Sequence, residues 1–167
     1  MTHPQDGKNS TVPIRVAVVT GHHPFDVPEF HGLFRRLNGI DAYIQHLEDF
    51  VSASPETRAG YDCVLFYNMH METPGAETDW WDKSTLPVLE QLGKTTQGIF
   101  LLHHAILAYR QWRFWADVVG IPDRRFTSYH IDQSIHVEIA DPQHPIAQGL
   151  APWDMIDETY LMEDVDD

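Results

Sequence analysis

The run Gly98-Ile99-Phe100-Leu101-Leu102-His103-His104-Ala105-Ile106 decides how this chain reads. It is a short apolar stretch that ends in two histidines and passes at once into residues at helical spacing, the pattern of strand, sharp turn and helix. In open α/β sheets ligands settle outside the carboxyl ends of the strands, so His103 and His104 stand where a chemical centre would be built. The strand is predicted over 96–102. Beyond it Ala105, Ala108, Trp112, Trp115 and Val119 recur at intervals of three and four, which predicts one amphipathic helix ended by Gly120 and Pro122. Trp112 and Trp115 are expected in the core, and Arg110 and Arg113 on the solvent side.

The same alternation of strand and helix extends toward the amino terminus. Ile14 to Thr20 (IRVAVVT) is almost wholly apolar or β-branched, as in a parallel strand covered on both faces, and Gly21-His22-His23-Pro24 breaks it. Asp26 and Glu29 have the spacing of a capping box, Pro28 suits a first helical turn, and Phe30, Leu33, Phe34 and Leu37 repeat as one helical face. Asn38-Gly39 ends that helix, Ala42 to Gln45 is a second strand, and the polar stretch 48–60 is a loop or short helix. Cys63 to Tyr67 is a third strand, with Asn68, Met69 and His70 just past its end. A Pro-, Gly- and acid-rich connection over 73–83 carries Trp80-Trp81, expected to pack as a flap over the sheet edge. A helix from Ser84 or Thr85 then uses Leu86, Leu89 and Leu92 and stops at Gly93.

After the long helix, His130 to Ile139 alternates. Ile131, Ile135, Val137 and Ile139 fall on one face, and His130, Asp132, Ser134, His136 and Glu138 on the other, as in a half-buried strand near an edge. The segment 141–150 is turn chemistry around His144, and Trp153 to Met162 is a final strand on which neighbouring Asp157 and Glu158 point to opposite faces. This order of elements predicts an α/β protein, a flavodoxin-like three-layer sandwich with a mostly parallel sheet and helices on both faces. Residues 1–13 read as a polar tail and 14–167 as a single domain.

Composition removes several classes of function. With 25 acidic against 11 basic residues, a net charge of -14, the chain lacks the basic stripe that nucleic acid needs. No apolar stretch approaches the ~20 residues of a membrane span, and the first thirteen residues do not resemble a secretory signal. One cysteine, Cys63, excludes an internal disulfide and fits a reducing compartment; inside a strand it is expected to pack rather than react. These features predict a cytoplasmic protein without membrane or nucleic-acid partners. Gly21-His22-His23-Pro24 lacks the spacing of a phosphate-binding loop, and the elbow at 103 holds histidine where a hydrolase would hold serine or cysteine.

The unusual quantity is eleven histidines. His22/His23, Asn68 with His70, and His103/His104 follow three strand ends, and a parallel sheet delivers all of them to one rim. Convergent imidazoles suit acid–base chemistry or a metal site. At the start of a helix the dipole disfavours an imidazolium, leaving His103 a neutral base, ligand or electrophile. His144, before a proline in a turn, reads as structural.

With VVTGHH at 18–23, YDCVLFYNMH at 61–70, LLHHAILAYRQWRFWADVVG at 101–120, HPIAQGL at 144–150 and DETY at 157–160, the chain resembles the trehalose-utilisation (ThuA-like) family over about 14–162. The resemblance implies a fold like that of class I glutamine amidotransferases, but with His103 at the position of their elbow cysteine and so without glutaminase chemistry. It also implies carbohydrate metabolism alongside dehydrogenases that form 3-keto sugars. Members continue beyond DETY into further strands, so a chain stopping at Asp167 is expected to be either naturally short or truncated at its carboxyl end.

The combined expectation is an enzyme of disaccharide or 3-keto-sugar metabolism using histidine- or metal-assisted proton transfer. Its alternatives are a non-catalytic sugar-binding or regulatory module and a metal-dependent hydrolase. His103 and Glu158 are assigned catalytic roles; His23, Asn68, His70, His104 and Tyr160 are assigned to substrate binding. His22 and His103 are assigned to a divalent metal such as zinc, and the expected partners are a small sugar substrate and further copies of the chain in a homo-oligomer.

Overall fold

The computed structural model describes residues 12–75 and 82–162. The tail up to residue 11 and the expected Trp80-Trp81 flap lie outside the described residues. The described chain forms two compact units that divide between Pro122 and Asp123.

The first unit is built on four parallel strands, β1 (Ile14–Gly21), β2 (Ile40–His46), β3 (Cys63–Asn68) and β4 (Gly98–Leu101), in the order β2-β1-β3-β4. From β1 the chain moves outward to β2 and then returns to the other side for β3 and β4, which makes the β1/β3 border the topological switch point. Successive side chains on β1 face opposite layers. Ala17 and Val19 join Val64 and Phe66 of β3 in a core with α2 (Leu47–Ser52), α4 (Asp82–Leu89) and α5 (Arg113–Val119), through Leu47, Phe50, Leu89 and Trp115. Val16 and Val18 face the other way and pack on Phe30 and Phe34 of α1 (Val27–Arg35). Each large side chain sealed in these layers contributes about 1.5–3 kcal/mol of hydrophobic stabilisation. The result is the flavodoxin-like three-layer α/β arrangement.

α1 begins as its sequence dictates: Asp26 is the N-cap, and its carboxylate accepts the Glu29 N–H at 3.0 Å. Its apolar stripe is narrower than expected, since Leu33 and Leu37 are 41% and 45% exposed. The polar stretch 48–60 folds into α2 and a short α3 (Pro55–Ala59) capped by Ser54. Cys63 packs partly buried against the α1-side core, and burial, followed by the neighbouring Asp62, pushes its thiol upward, away from reactivity.

The long helix predicted over 105–119 is not continuous. His103–Leu107 forms a 3-10 turn, Tyr109 takes a positive φ of 47°, and α5 starts only at Arg113. Tertiary bonds replace the helical ladder there: the Tyr109 N–H donates to the His70 carbonyl at 2.7 Å, and the Trp115 indole N–H donates to the Ala105 carbonyl at 3.2 Å. Trp115 is fully buried, as expected, while Arg113 is exposed and pairs with Asp117 at 3.0 Å. Arg110, expected in solvent, is half-buried.

The second unit contains an antiparallel pair, β5 (Phe126–Val137) and β6 (Trp153–Met162). The predicted alternation of β5 is interrupted. Asp132 has φ 54° within a register shift between His130 and Gln133, and Ile131 is 58% exposed, whereas Ile135, Val137 and Ile139 are half-buried. Among the described residues no helix is long and apolar enough to cross a membrane.

Candidate functional site

The carboxyl ends of the four parallel strands deliver His22 after β1, His46 at the end of β2, Asn68 and His70 at and after β3, and His103 with His104 after β4. All lie on one rim of the first unit. Gly21 makes the assembly possible. Its φ is 144°, and a Cβ built there would stand 2.7 Å from Cε1 of His70 and 2.8 Å from Nε2 of His46, so only glycine leaves room for both rings. The Met69 N–H donates to the Gly21 carbonyl at 2.9 Å and carries the β1–β3 pairing past the strand ends, holding His22 and His70 side by side.

The histidines pair by stacking. His22 lies on His70 with ring centroids 4.0 Å apart, and His23 lies on His104 at 3.8 Å. In each pair the inner ring is sealed: His70 is 5% exposed and His104 1%, while His22 is exposed and His23 half-buried. The two outward-facing elbows are both strained, since His22 has φ 56° and His103 φ 53° without being glycine. Such backbone persists only where its surroundings hold it, and it clusters at functional sites. His22 is held by its stack. His103 is held through Nδ1, which lies 3.1 Å from Nδ1 of His104.

A second contact line runs beneath these rings. Nδ2 of the fully buried Asn68 lies 3.1 Å from Nδ1 of His70 and 3.4 Å from the Tyr109 hydroxyl. Tyr67 lies against His104 with centroids 4.4 Å apart, and Tyr109 stacks beside His70 at 5.9 Å. Burial, and then the neighbouring His22 and His46, push His70 down to about 3, so its ring is neutral at physiological pH. His103 opens the 3-10 turn His103–Leu107 in place of the long helix expected to follow it.

Of the residues assigned from sequence, His22, His23, Asn68, His70, His103 and His104 share this rim. Glu158 and Tyr160 lie on β6 of the second unit, where the Tyr160 hydroxyl donates to the Glu158 carboxylate at 2.5 Å. Burial, and then that bond, raise the Tyr160 phenol to about 12. His144 behaves as a turn residue, its Nδ1 accepting the Ile146 N–H at 3.2 Å. Among the described residues no group of three or more His, Cys, Asp or Glu side chains is placed to hold a metal ion, and β3 separates the strands that carry His22 and His103.

Sequence reasoning missed His46 and Tyr109. Its second strand stopped one residue short, at Gln45, so His46 was not counted as a strand-end histidine. Tyr109 was hidden inside the predicted helix. A cavity of about 620 Å³ opens at the opposite rim, near Phe50, Arg58, Tyr61, Asp62 and Gln97. Its polar groups are engaged internally: Arg58 donates to the Val51 and Ala53 carbonyls, Gln97 to those of Arg58 and Tyr61, and Asp62 accepts the Arg15 N–H. The histidine rim is therefore the better candidate, with strained, solvent-facing imidazoles after the carboxyl ends of β1 and β4.

A family model for trehalose utilisation, ThuA, matches residues 15–167. Nothing matches among curated proteins or among solved structures.

Proposed function

Because the chain belongs to the ThuA family, and so has a role in trehalose and carbohydrate utilisation, we propose that it catalyses proton transfer on a 3-keto sugar at the histidine rim. The observation that carries this reading is the pairing of exposed His103 with sealed His104 through Nδ1. When His103 donates its Nδ1 proton to His104, its own Nε2 keeps a lone pair directed away from the support, which is the arrangement of a general base and the residue that orients it.

A ketone acidifies the adjacent C–H. Nε2 of His103 takes that proton, the C–H electron pair becomes the C=C bond of an enolate, and the carbonyl π pair moves onto oxygen. If the hydroxyl proton on the deprotonated carbon passes to the former carbonyl oxygen and the imidazolium returns its proton to the former carbonyl carbon, the ketone has moved by one carbon, an isomerisation. If instead the enolate re-forms its carbonyl and a β-substituent leaves with its bonding pair and takes the imidazolium proton, the product is that of an elimination. His22 and His23 flank the same rim as substrate contacts. An imidazole at the elbow cannot replace the thiol that glutamine hydrolysis requires, so the amidotransferase-like part of the reading concerns fold and not reaction.

The test is incubation of the full chain with a 3-keto-disaccharide in D2O, with and without added divalent metal, followed by NMR of the sugar. Deuterium is expected to enter at the carbon next to the ketone. His103→Ala should lower that rate by roughly 10²–10⁴-fold, the usual weight of a general base. Equal exchange by the variant would remove His103 from the mechanism. Sugar binding without exchange would make the chain a binding module, and glycosidic cleavage only with metal would make it a hydrolase.

A further inference from the structure

Asn68 is the last residue of β3 and is 0% exposed, so its carboxamide works on protein groups rather than on a ligand. Its Nδ2 faces His70 Nδ1 at 3.1 Å and the Tyr109 hydroxyl at 3.4 Å, and its Oδ1 is buried without a hydrogen-bond partner. The orientation of the amide decides the proton position on His70. Turned this way, the amide leaves one carbonyl oxygen unsatisfied; turned the other way, it would leave an NH2 with two buried hydrogens unsatisfied. An orphaned acceptor is the smaller cost, because carbonyl groups tolerate partial satisfaction better than N–H groups do.

We infer that Asn68 is a positioning residue that donates to Nδ1 of His70 and thereby holds that ring as its neutral Nε2–H tautomer. The frame around it is rigid for the same reason: the Tyr109 N–H bonds the His70 carbonyl at 2.7 Å, so the residue that meets Asn68 through its hydroxyl also ties down the His70 backbone. Two consequences follow for the rim. With Nδ1 engaged and Nε2 protonated, His70 has no lone pair for abstracting a proton, so proton removal falls to the outer rings. His70 then serves as an uncharged plate under His22, and no like charge stands 4.0 Å from the ring of that strained residue. Only these catalytic consequences rest on the proposed function; the tautomer itself does not.

The deciding measurement is two-bond 1H–15N NMR of the 15N-labelled full chain near neutral pH, with the His70 signals identified by their loss in His70→Gln. Expected are an unprotonated Nδ1 and a protonated Nε2; a protonated Nδ1 would overturn the inference. Asn68→Asp replaces the donor with an acceptor and should invert the pattern to Nδ1–H, and a folded Asn68→Asp protein that keeps Nε2–H would also overturn it. If the variant does not fold, the wild-type spectrum decides alone. Deuterium exchange of the keto sugar is a separate readout: its absence alongside the expected tautomer would reject the proposed reaction and leave the role of Asn68 intact.

Discussion

The Nδ1 atoms of His103 and His104 stand 3.1 Å apart, one ring in solvent and the other 1% exposed. Two neutral imidazoles meeting through the same atom must be opposite tautomers, one donating and one accepting. Sealed His104 is the poorer place for charge, so it is the support and His103 the working group. His104→Phe keeps an aromatic ring under His23 but removes the acceptor. Keto-sugar proton exchange should fall about tenfold or more, yet less than the roughly 10²–10⁴-fold expected for loss of the base itself, while sugar affinity stays within about twofold. Steady-state kinetics read both quantities, and an unchanged kcat would show that His104 does not orient His103.

Acid should destabilise the first unit through His70. Its value in the folded protein lies at about 3, below the ordinary 6.5, because burial and the nearby His22 and His46 oppose its charge. Between these values the unfolded chain binds a proton that the native chain does not, so the stability from His70 is complete above pH 6.5 and is lost as pH falls toward 3. The loss amounts to a few kcal/mol, at about 1.4 kcal/mol per pH unit. Urea unfolding at a series of pH values across that window should show the decline, and His70→Gln, which keeps an acceptor for Asn68 without titrating there, should flatten it. Identical slopes would assign acid sensitivity to other groups.

Gly21→Ala tests whether the rim depends on an absent side chain. The new methyl would meet His70 at 2.7 Å and His46 at 2.8 Å on a backbone with φ 144°. The expected cost is about 2–4 kcal/mol, and the His22–His70 stack should open. Gly39→Ala is the control. Gly39 also has a positive φ, 76°, but nothing lies within 4 Å of its added Cβ, so backbone strain alone should cost about 1 kcal/mol. Denaturant unfolding of the two variants separates crowding from strain, and equal costs would reject the packing role of Gly21.

Much of the fold was legible because its signals are local. The β-branched run of β1, the apolar run of β4, the Asp26 cap and the stop at Gly120 each act within a few residues of themselves, whereas the helix expected to run to Gly93 ends at Leu89. The parallel sheet then carries histidines at strand ends to a common rim whatever their separation in sequence, which is why His22, His70 and His103 could be grouped in advance. The family followed from motifs spread along the same elements.

The sequence by itself thus determined the α/β class, the histidine-bearing strand ends and the carbohydrate-utilisation family. Only the tertiary structure decided which histidines touch, which are sealed, and where helical periodicity fails. Ala105 to Val119 has the spacing of one helix, yet the Tyr109 N–H bonds the His70 carbonyl and the Trp115 indole bonds the Ala105 carbonyl, so partners made by folding outcompete the local ladder. Likewise no pattern in the chain marks Asn68 as a bridge between His70 and Tyr109. The physical reason is the same in each case: periodicity records which face of an element is apolar, whereas burial of a polar group is settled by the partners that distant strands bring to it.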